Sequence, residues 1–172
     1  MRTIASLESN PARALLIFLW GGLCCLIVAA PLLSVPSPSL SALIYLFFAP
    51  ICHQRPERCF FVFGRAFAVC QRCTGIYGGL FLGSLIPFHG RLFADPLKRR
   101  KWVLGAVAPL LFDVFLPNLG IWQSNAASRL ATGMIFGTML AALVLSGVEE
   151  LLAGASPKKL HFRDPQLKGD IS

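Results

Sequence analysis

Charge is the first thing this chain is short of. Only 14 % of its residues are Asp, Glu, Lys or Arg, against 55 % hydrophobic, and its mean hydropathy is +0.66. A soluble domain ordinarily clothes itself with about 25 % charged residues, so the soluble globular classes are excluded and an integral membrane protein is indicated. Also lacking are GxGxxG, a phosphate-binding loop, HExxH and a nucleophile elbow, and with them the reactions those motifs serve. The charge that remains is lopsided, with sixteen Lys and Arg against eight Asp and Glu for a net +8. Nucleic acid is not the reason. The basic residues stand at the edges of apolar runs, where lipid headgroups and topology account for them.

Five apolar segments make up what reads as one membrane domain over 1–172: about 14–33, 40–51, 74–88, 96–116 and 130–148. Between the second and third lies a Cys/His-rich loop, 52–73, and a basic tail follows at 154–172. A span needs roughly 20 residues at helical rise, which 14–33 supplies without a charge. A cleaved signal peptide is the alternative there, with Arg2 and Arg13 leading and Val28-Ala29-Ala30 as the small-residue site. Pro31 would then follow the cut and the run is long, so an anchor is preferred.

Pro31, Pro36 and Pro38 are expected to break that helix. Segment 40–51 reaches little more than half the hydrocarbon, so it is part of a kinked span or a re-entrant or interfacial helix. The fold class is therefore an all-α bundle of four to five transmembrane helices, its Cys/His loop compact and ordered with room for two short strands. Thr74 is expected to N-cap the third helix, and Asp95-Pro96 to start the fourth, which Pro109 should bend. Gly75, Gly79 and Gly83 fall four apart, as do Gly133 and Gly137, which predicts smooth faces for close helix packing.

Orientation follows from the densest positive cluster, Arg91 with Lys98, Arg99, Arg100 and Lys101. The positive-inside rule makes that loop cytoplasmic, and the tail with Lys158, Lys159, Arg163 and Lys168 joins it. The Cys/His loop falls on the extracytoplasmic side whether 40–51 crosses or not. If it does not cross, Lys and Arg divide eleven inside against five outside. The expected location is the cell (inner) membrane, multi-pass, with a cytoplasmic C-terminus.

The cysteines divide by setting. Cys24 and Cys25 lie mid-span, where a thiol acts as a small hydrophobe. Cys70-Gln71-Arg72-Cys73 differs, because two cysteines so spaced can face one ion or form a reducible disulfide. Cys52 and His53 complete the split arrangement of a zinc-ribbon or knuckle site. Cys52, His53, Cys70 and Cys73 are the expected ligands and zinc the expected cation, with Zn–S near ~2.3 Å. Adjacent residues seldom both ligate, so His53 is alternatively an orienting partner, leaving the fourth position to Cys59, water or substrate.

The strings Cys52-His53-Gln54-Arg55-Pro56-Glu57-Arg58 and Val69-Cys70-Gln71-Arg72-Cys73-Thr74-Gly75-Ile76-Tyr77-Gly78-Gly79 resemble the signature of the domain of unknown function 2085 family, small multi-pass membrane proteins of prokaryotes. Asp113, Ser124-Asn125, Arg129, Thr132-Gly133 and Gly137 are similar to that family's second half. The resemblance spans about 40–145 and implies membrane architecture and a special status for those positions, without an activity to carry over. Cys59 stands where the family more often has serine, and Pro117 where glutamine is more usual. This favours a shared centre that does not need Cys59.

Asp113 lies inside an apolar run, where a carboxylate needs protonation, a cationic partner or a water-filled cavity. Arg129 is the expected partner, and a fixed ion pair between helices outweighs a proton relay. Should there be catalysis, Asp113, Arg129 and His53 are its candidates. Tyr77 and Trp122 read as interfacial anchors, His89 and His161 as solvated, and Glu149 and Glu150 as meeting water at a helix end.

Three functional classes stay open. The first is a zinc centre at the membrane edge. The second is a membrane thiol-disulfide oxidoreductase, using the CxxC pair with Cys52 and Cys59 and a quinone, similar in outline to vitamin K epoxide reductases and disulfide-forming quinone reductases. The third is a factor that holds an anionic lipid headgroup on Arg55, Arg58, Arg65 and Arg72.

Overall fold

A computed structural model gives the fold over residues 11–86, 95–121 and 123–154. Arg2, His89, Arg91, Trp122, His161 and the basic tail lie outside the described residues, as do the side chains of Glu149 and Glu150. Five helices, one 3-10 turn and one hairpin follow in order: α1 Pro11–Leu33, α2 Pro38–Phe48, the turn Pro56–Arg58, β1 Cys59–Val62, β2 Arg65–Cys70, α3 Gln71–Leu85, α4 Pro96–Asn118 and α5 Ala126–Gly154. The chain is thus mostly helical but not all-α, because the loop between α2 and α3 folds as an antiparallel pair. Among the described residues two helices, Pro11–Leu33 and Ala126–Val148, are long and apolar enough to cross a membrane. Only 17 % of the most apolar stretch of α1 is buried within the molecule. So much uncovered apolar surface requires an apolar solvent around it.

Glycines set the centre of the bundle. A Cβ on Gly75 would meet the Leu130 carbonyl, one on Gly79 the backbone of Met134 and Thr138, and one on Gly83 the backbone of Thr138 and the Ala141 methyl. From the other side, Gly133 faces the Arg72 carbonyl and Gly137 the Ile76 carbonyl. The contacts advance together along both helices, so α3 and α5 run parallel with their N-termini at one end. The small-residue spacing of the two runs serves one seam, as such spacing does in membranes. The other two long helices flank it, α4 against α5 and α1 against α3.

Arg13 ties α1 to the far end of α3. Its Nε donates to Ser84 O at 2.9 Å and its Nη2 to Leu85 O at 2.6 Å, which satisfies carbonyls that a helix C-terminus leaves without partners. The start of α1 is therefore level with the end of α3. At its opposite end, α1 contributes Ile27 and Ala30 to a buried cluster with Ile44 and Phe48 of α2, Cys52, and Ala68 and Val69 of β2. Phe48 is fully buried and meets Tyr77 of α3 edge to face, with ring centroids 5.7 Å apart.

Helix α2 never leaves that end of the bundle. Ser41 Oγ donates to Ala30 O at 2.7 Å, the Tyr45 hydroxyl donates to Ala66 O, and the chain leads directly into Cys52. Of the three prolines expected to break the helix, Pro36 lies in the turn after it, while the other two resolve differently. Pro31 lies inside the last turn of α1, which ends only at Leu33, while Pro38 opens α2 as a first-turn residue. A proline there lacks an N–H that would have no helical partner anyway. Asp95 caps α4 as its sequence indicates, accepting from the Leu97 N–H at 3.0 Å. Thr74 does not cap α3. The helix begins three residues earlier with Cys70 in the capping position, and the Thr74 hydroxyl bonds back to Cys70 O at 3.1 Å.

The seam gives a direct test. Gly137→Val should lower the unfolding free energy of the purified protein by about 1–3 kcal/mol or more, the usual cost of overpacking. Gly78→Ala, whose added methyl meets nothing within 4 Å, should leave it unchanged or slightly raised.

Candidate metal centre

The site begins with how the hairpin turns. Phe63 and Gly64 both have positive φ, 50° and 74°, the pattern of a tight two-residue turn whose twist matches the strands. Val62 pairs with Arg65 and Phe61 with Ala66, but the register then slips, so that Cys59 faces Cys70. From Cys70 the strand runs straight into α3, placing Cys70 at the helix cap and Cys73 in its first turn.

Three sulfurs converge there. The Sγ atoms of Cys52, Cys70 and Cys73 all lie within 4.8 Å of one another, and none of the three is in a disulfide. The Cys70 N–H donates to Cys52 Sγ at 3.2 Å. Hydrogen bonds from the Cys52 and Cys73 thiols, working against burial, hold the Cys70 thiol far below its ordinary value. A thiolate at a helix N-terminus is favoured by the helix dipole as well.

Cys59 is near but separate. It stands outside the group of three, buried, with its thiol donating to Arg55 O at 3.2 Å. Burial first, and then the Cys52 and Cys70 sulfurs, push it up to about 11. It is a protonated, satisfied thiol at neutral pH. Cys24 and Cys25 lie in α1 as free cysteines, half-buried and exposed.

Two amides hold the strands of chain that carry the sulfurs. Gln54 has φ 49°, and its Nε2 donates to both Tyr45 O at 2.7 Å and Ala68 O at 2.8 Å, bracing the Cys52-His53 segment between α2 and β2. Gln71 donates to Cys59 O at 3.3 Å and accepts from Arg129 Nη1 at 3.3 Å. Neither glutamine is distinctive by type; their only signal is adjacency to the cysteines in the two motif strings.

Above the sulfurs opens a cavity of about 440 Å³ lined by the three cysteines, by His53, and by Arg55, Arg58, Arg72 and Arg129 among others. His53 is exposed on its wall, outside the close sulfur group. Arg65 lies elsewhere, on a separate cleft with Tyr45 and Ser41. Asp113 does not line the cavity.

Asp113 has a different partner from the one expected. Its buried carboxylate is paired with Arg72, and its Oδ1 accepts from Ser128 Oγ at 2.8 Å. Arg129 instead donates to Ser124 Oγ at 2.9 Å, Ser124 O at 2.8 Å and Gln71. The reason is the parallel seam. It sets the first turn of α3 beside the first turn of α5, so Arg72 reaches Asp113 while the Arg129 fork is engaged by the loop before its own helix. Ser128 is itself placed by Asn125, whose Oδ1 accepts the Ser128 N–H at 2.8 Å, as an N-cap does.

The pair makes a prediction. Asp113→Leu should cost about 3 kcal/mol, because it strands a guanidinium whose side chain is 23 % exposed. Adding Arg72→Met should recover a large part of that loss, and the double-mutant cycle read by denaturant unfolding gives the coupling.

Comparison with other proteins comes to the same region of the chain. An uncharacterised protein of Methanocaldococcus jannaschii is 36 % identical over 99 residues, covering 57 % of this chain and 64 % of its own length. The chain thus spans less than two thirds of that relative. An uncharacterised protein of Methanothermobacter thermautotrophicus is 39 % identical over 100 residues, covering 56 % of this chain and 86 % of its own. No solved structure matches the chain. A family described as "Predicted membrane protein (DUF2085)" matches residues 52–143, from the first sulfur of the site into α5, and the chain belongs to this family of membrane proteins.

Proposed function

We propose that this protein is a multi-pass membrane protein built around a zinc centre at the membrane edge, with Cys52, Cys70 and Cys73 as thiolate ligands. The observation that carries the reading is the approach of three free sulfurs to within 4.8 Å of one another. Tetrahedral zinc with Zn–S bonds of ~2.3 Å sets its sulfurs roughly 3.8 Å apart, so a small contraction of this group accommodates the ion. Three protein ligands would leave a fourth position, and His53 on the wall of the cavity that the three cysteines line would be the residue to fill it or to orient what does. Such a site would order the hairpin against α3, since ligand bonds contribute to folding directly. With the fourth position open to substrate it would also suit catalysis, and His53 is then the imidazole on the cavity wall that could serve as acid or base.

The membrane arrangement that fits is four crossings, by α1, α3, α4 and α5, with α2 lying along the edge. What supports it is the tie from Arg13 to the end of α3 together with the confinement of α2 to the sulfur end. The N-terminus then shares a side with Lys98–Lys101, Lys and Arg divide eleven to five, and the hairpin faces outward from the cytoplasm of an inner membrane.

One observation favours a second reading. Cys70 at a helix cap, within 4.8 Å of both Cys52 and Cys73, is placed as in a dithiol that cycles with a disulfide. Closing Cys70 on Cys73 would release two protons and pass two electrons to an acceptor, for which a quinone in the bilayer is the natural class. Cys59, held by Arg55 O and apart from the other three, makes a poor fourth member of that relay.

Elemental analysis with thiol counting separates the two. One zinc per chain with reduced thiols is expected. Cys52→Ser, Cys70→Ser or Cys73→Ser should weaken zinc by more than the roughly 10–100-fold typical of an outer-shell change, and Cys59→Ser should keep it. A metal-free protein holding a Cys70–Cys73 disulfide would overturn the zinc reading. Topology is checked by labelling single cysteines placed on a background lacking the others. Reagents that cannot cross the membrane should reach Phe63→Cys from the periplasmic face, and Ser9→Cys and Gln166→Cys only from the cytoplasmic one.

A further inference from the structure

The arginines around the cavity outnumber the negative groups that face them. Four guanidinium groups, from Arg55, Arg58, Arg72 and Arg129, line one space of about 440 Å³, and no carboxylate among the described residues lines it. Only Arg72 has a carboxylate partner among the described residues, which is Asp113. Glu57 shares the 3-10 turn with Arg58 but does not reach the wall. After Asp113 is counted against Arg72, the guanidinium groups of Arg55, Arg58 and Arg129 remain without a carboxylate partner among the described residues.

The donors are also set in advance. Arg129 is clamped by Ser124 and Gln71, so little rotamer freedom is left to lose on binding. Arg72 Nε is buried with no hydrogen-bond partner among the described residues, and a buried N–H left unpaired is costly. The N-terminus of α3 opens at the same place, adding backbone N–H groups and the positive end of its dipole. Planar guanidinium forks match the oxygens of phosphate two at a time.

We propose that this cavity is a phosphate-binding site, taking the phosphate-ester group of a small molecule or of a lipid. Guanidinium groups without a carboxylate partner match the negative charge of a phosphate ester, monoester or lipid diester alike, and the volume lies in the range of small-ligand sites, about 300–1,000 Å³, leaving room for the esterified group. The site stands on the arginines and the cavity, so it holds with or without a cation on the thiols.

The test uses the full chain in dodecyl maltoside micelles at low salt, titrated calorimetrically with inorganic phosphate. In parallel, the chain is reconstituted in phosphatidylcholine vesicles with and without phosphatidylglycerol, and retained lipid is weighed by native mass spectrometry. Saturable phosphate binding is expected, weakened roughly tenfold or more in Arg55→Gln/Arg58→Gln. Both side chains are exposed, so the variant should fold as the parent does. Arg65→Gln, on the other cleft, should bind like the parent. Binding of inorganic phosphate identifies a soluble source. Selective phosphatidylglycerol retention that the double variant loses, without phosphate binding, identifies a lipid source. Saturable binding of neither overturns the site, as does equal weakening by Arg65→Gln, which would reveal a diffuse positive surface.

Discussion

Main chain lies on main chain where α3 meets α5, and the position of everything else follows from that contact. Lipid offers no hydrophobic force to press two apolar helices together, so their adhesion comes from close approach. Gly75, Gly79, Gly133 and Gly137 supply it by putting no side chain in the way. Because the seam is parallel, the heads of both helices arrive at one level. Cys70, Gln71, Arg72 and Cys73 from one thereby face Ser128 and Arg129 from the other. The hairpin only has to bring its own end of chain to a place already fixed.

Polar groups at that level are arranged so that few are left to themselves. Gln54 uses a single amide to satisfy carbonyls from two directions, and Gln71 donates to the Cys59 carbonyl while accepting from Arg129. Asp113 accepts from Arg72 and Ser128, which turns an expensive buried carboxylate into a brace between α4 and its neighbours. Cys59 donates to a backbone oxygen and is thereby withdrawn from the chemistry next to it. What this shell leaves over is three thiols bonded among themselves and the guanidinium groups of Arg55 and Arg58, without a carboxylate partner among the described residues, the two kinds of group from which the functional readings are made.

Sequence disclosed these features unevenly, for reasons of distance along the chain. The long apolar runs and the Asp95 cap are local, and local rules read them well. The thiols of Cys70 and Cys73 announce themselves by spacing, and Cys52 by its histidine neighbour, though only the fold brings it to the pair. Partner choice for Asp113 was out of reach, because two arginines stand within plausible range and only the parallel seam decides between them. The start of α3 was missed for a similar reason. Thr74 is a good cap by type, but the strand delivers the chain in an extended form at Cys70 and the helix starts there. The all-α class likewise gave way to a small sheet, though the loop 52–73 left room for its two strands; the turn uses Phe63 at positive φ beside Gly64, and Phe is a residue type that carries no turn signal.

One property of the glycine seam reaches past the folded state into how the gene can change. Most crowding in a protein core is relieved by trimming whichever side chain is in the way. At Gly75, Gly133 and Gly137 the obstructing atoms are all backbone, which no substitution can shave. Lesions there have no compensating second mutation at the point of contact, whereas the Ala141 methyl beside Gly83 offers at least one removable atom. Genetic suppressors of seam defects should therefore arise far from it or not at all, leaving these positions frozen while the lipid-facing sides of the same helices drift.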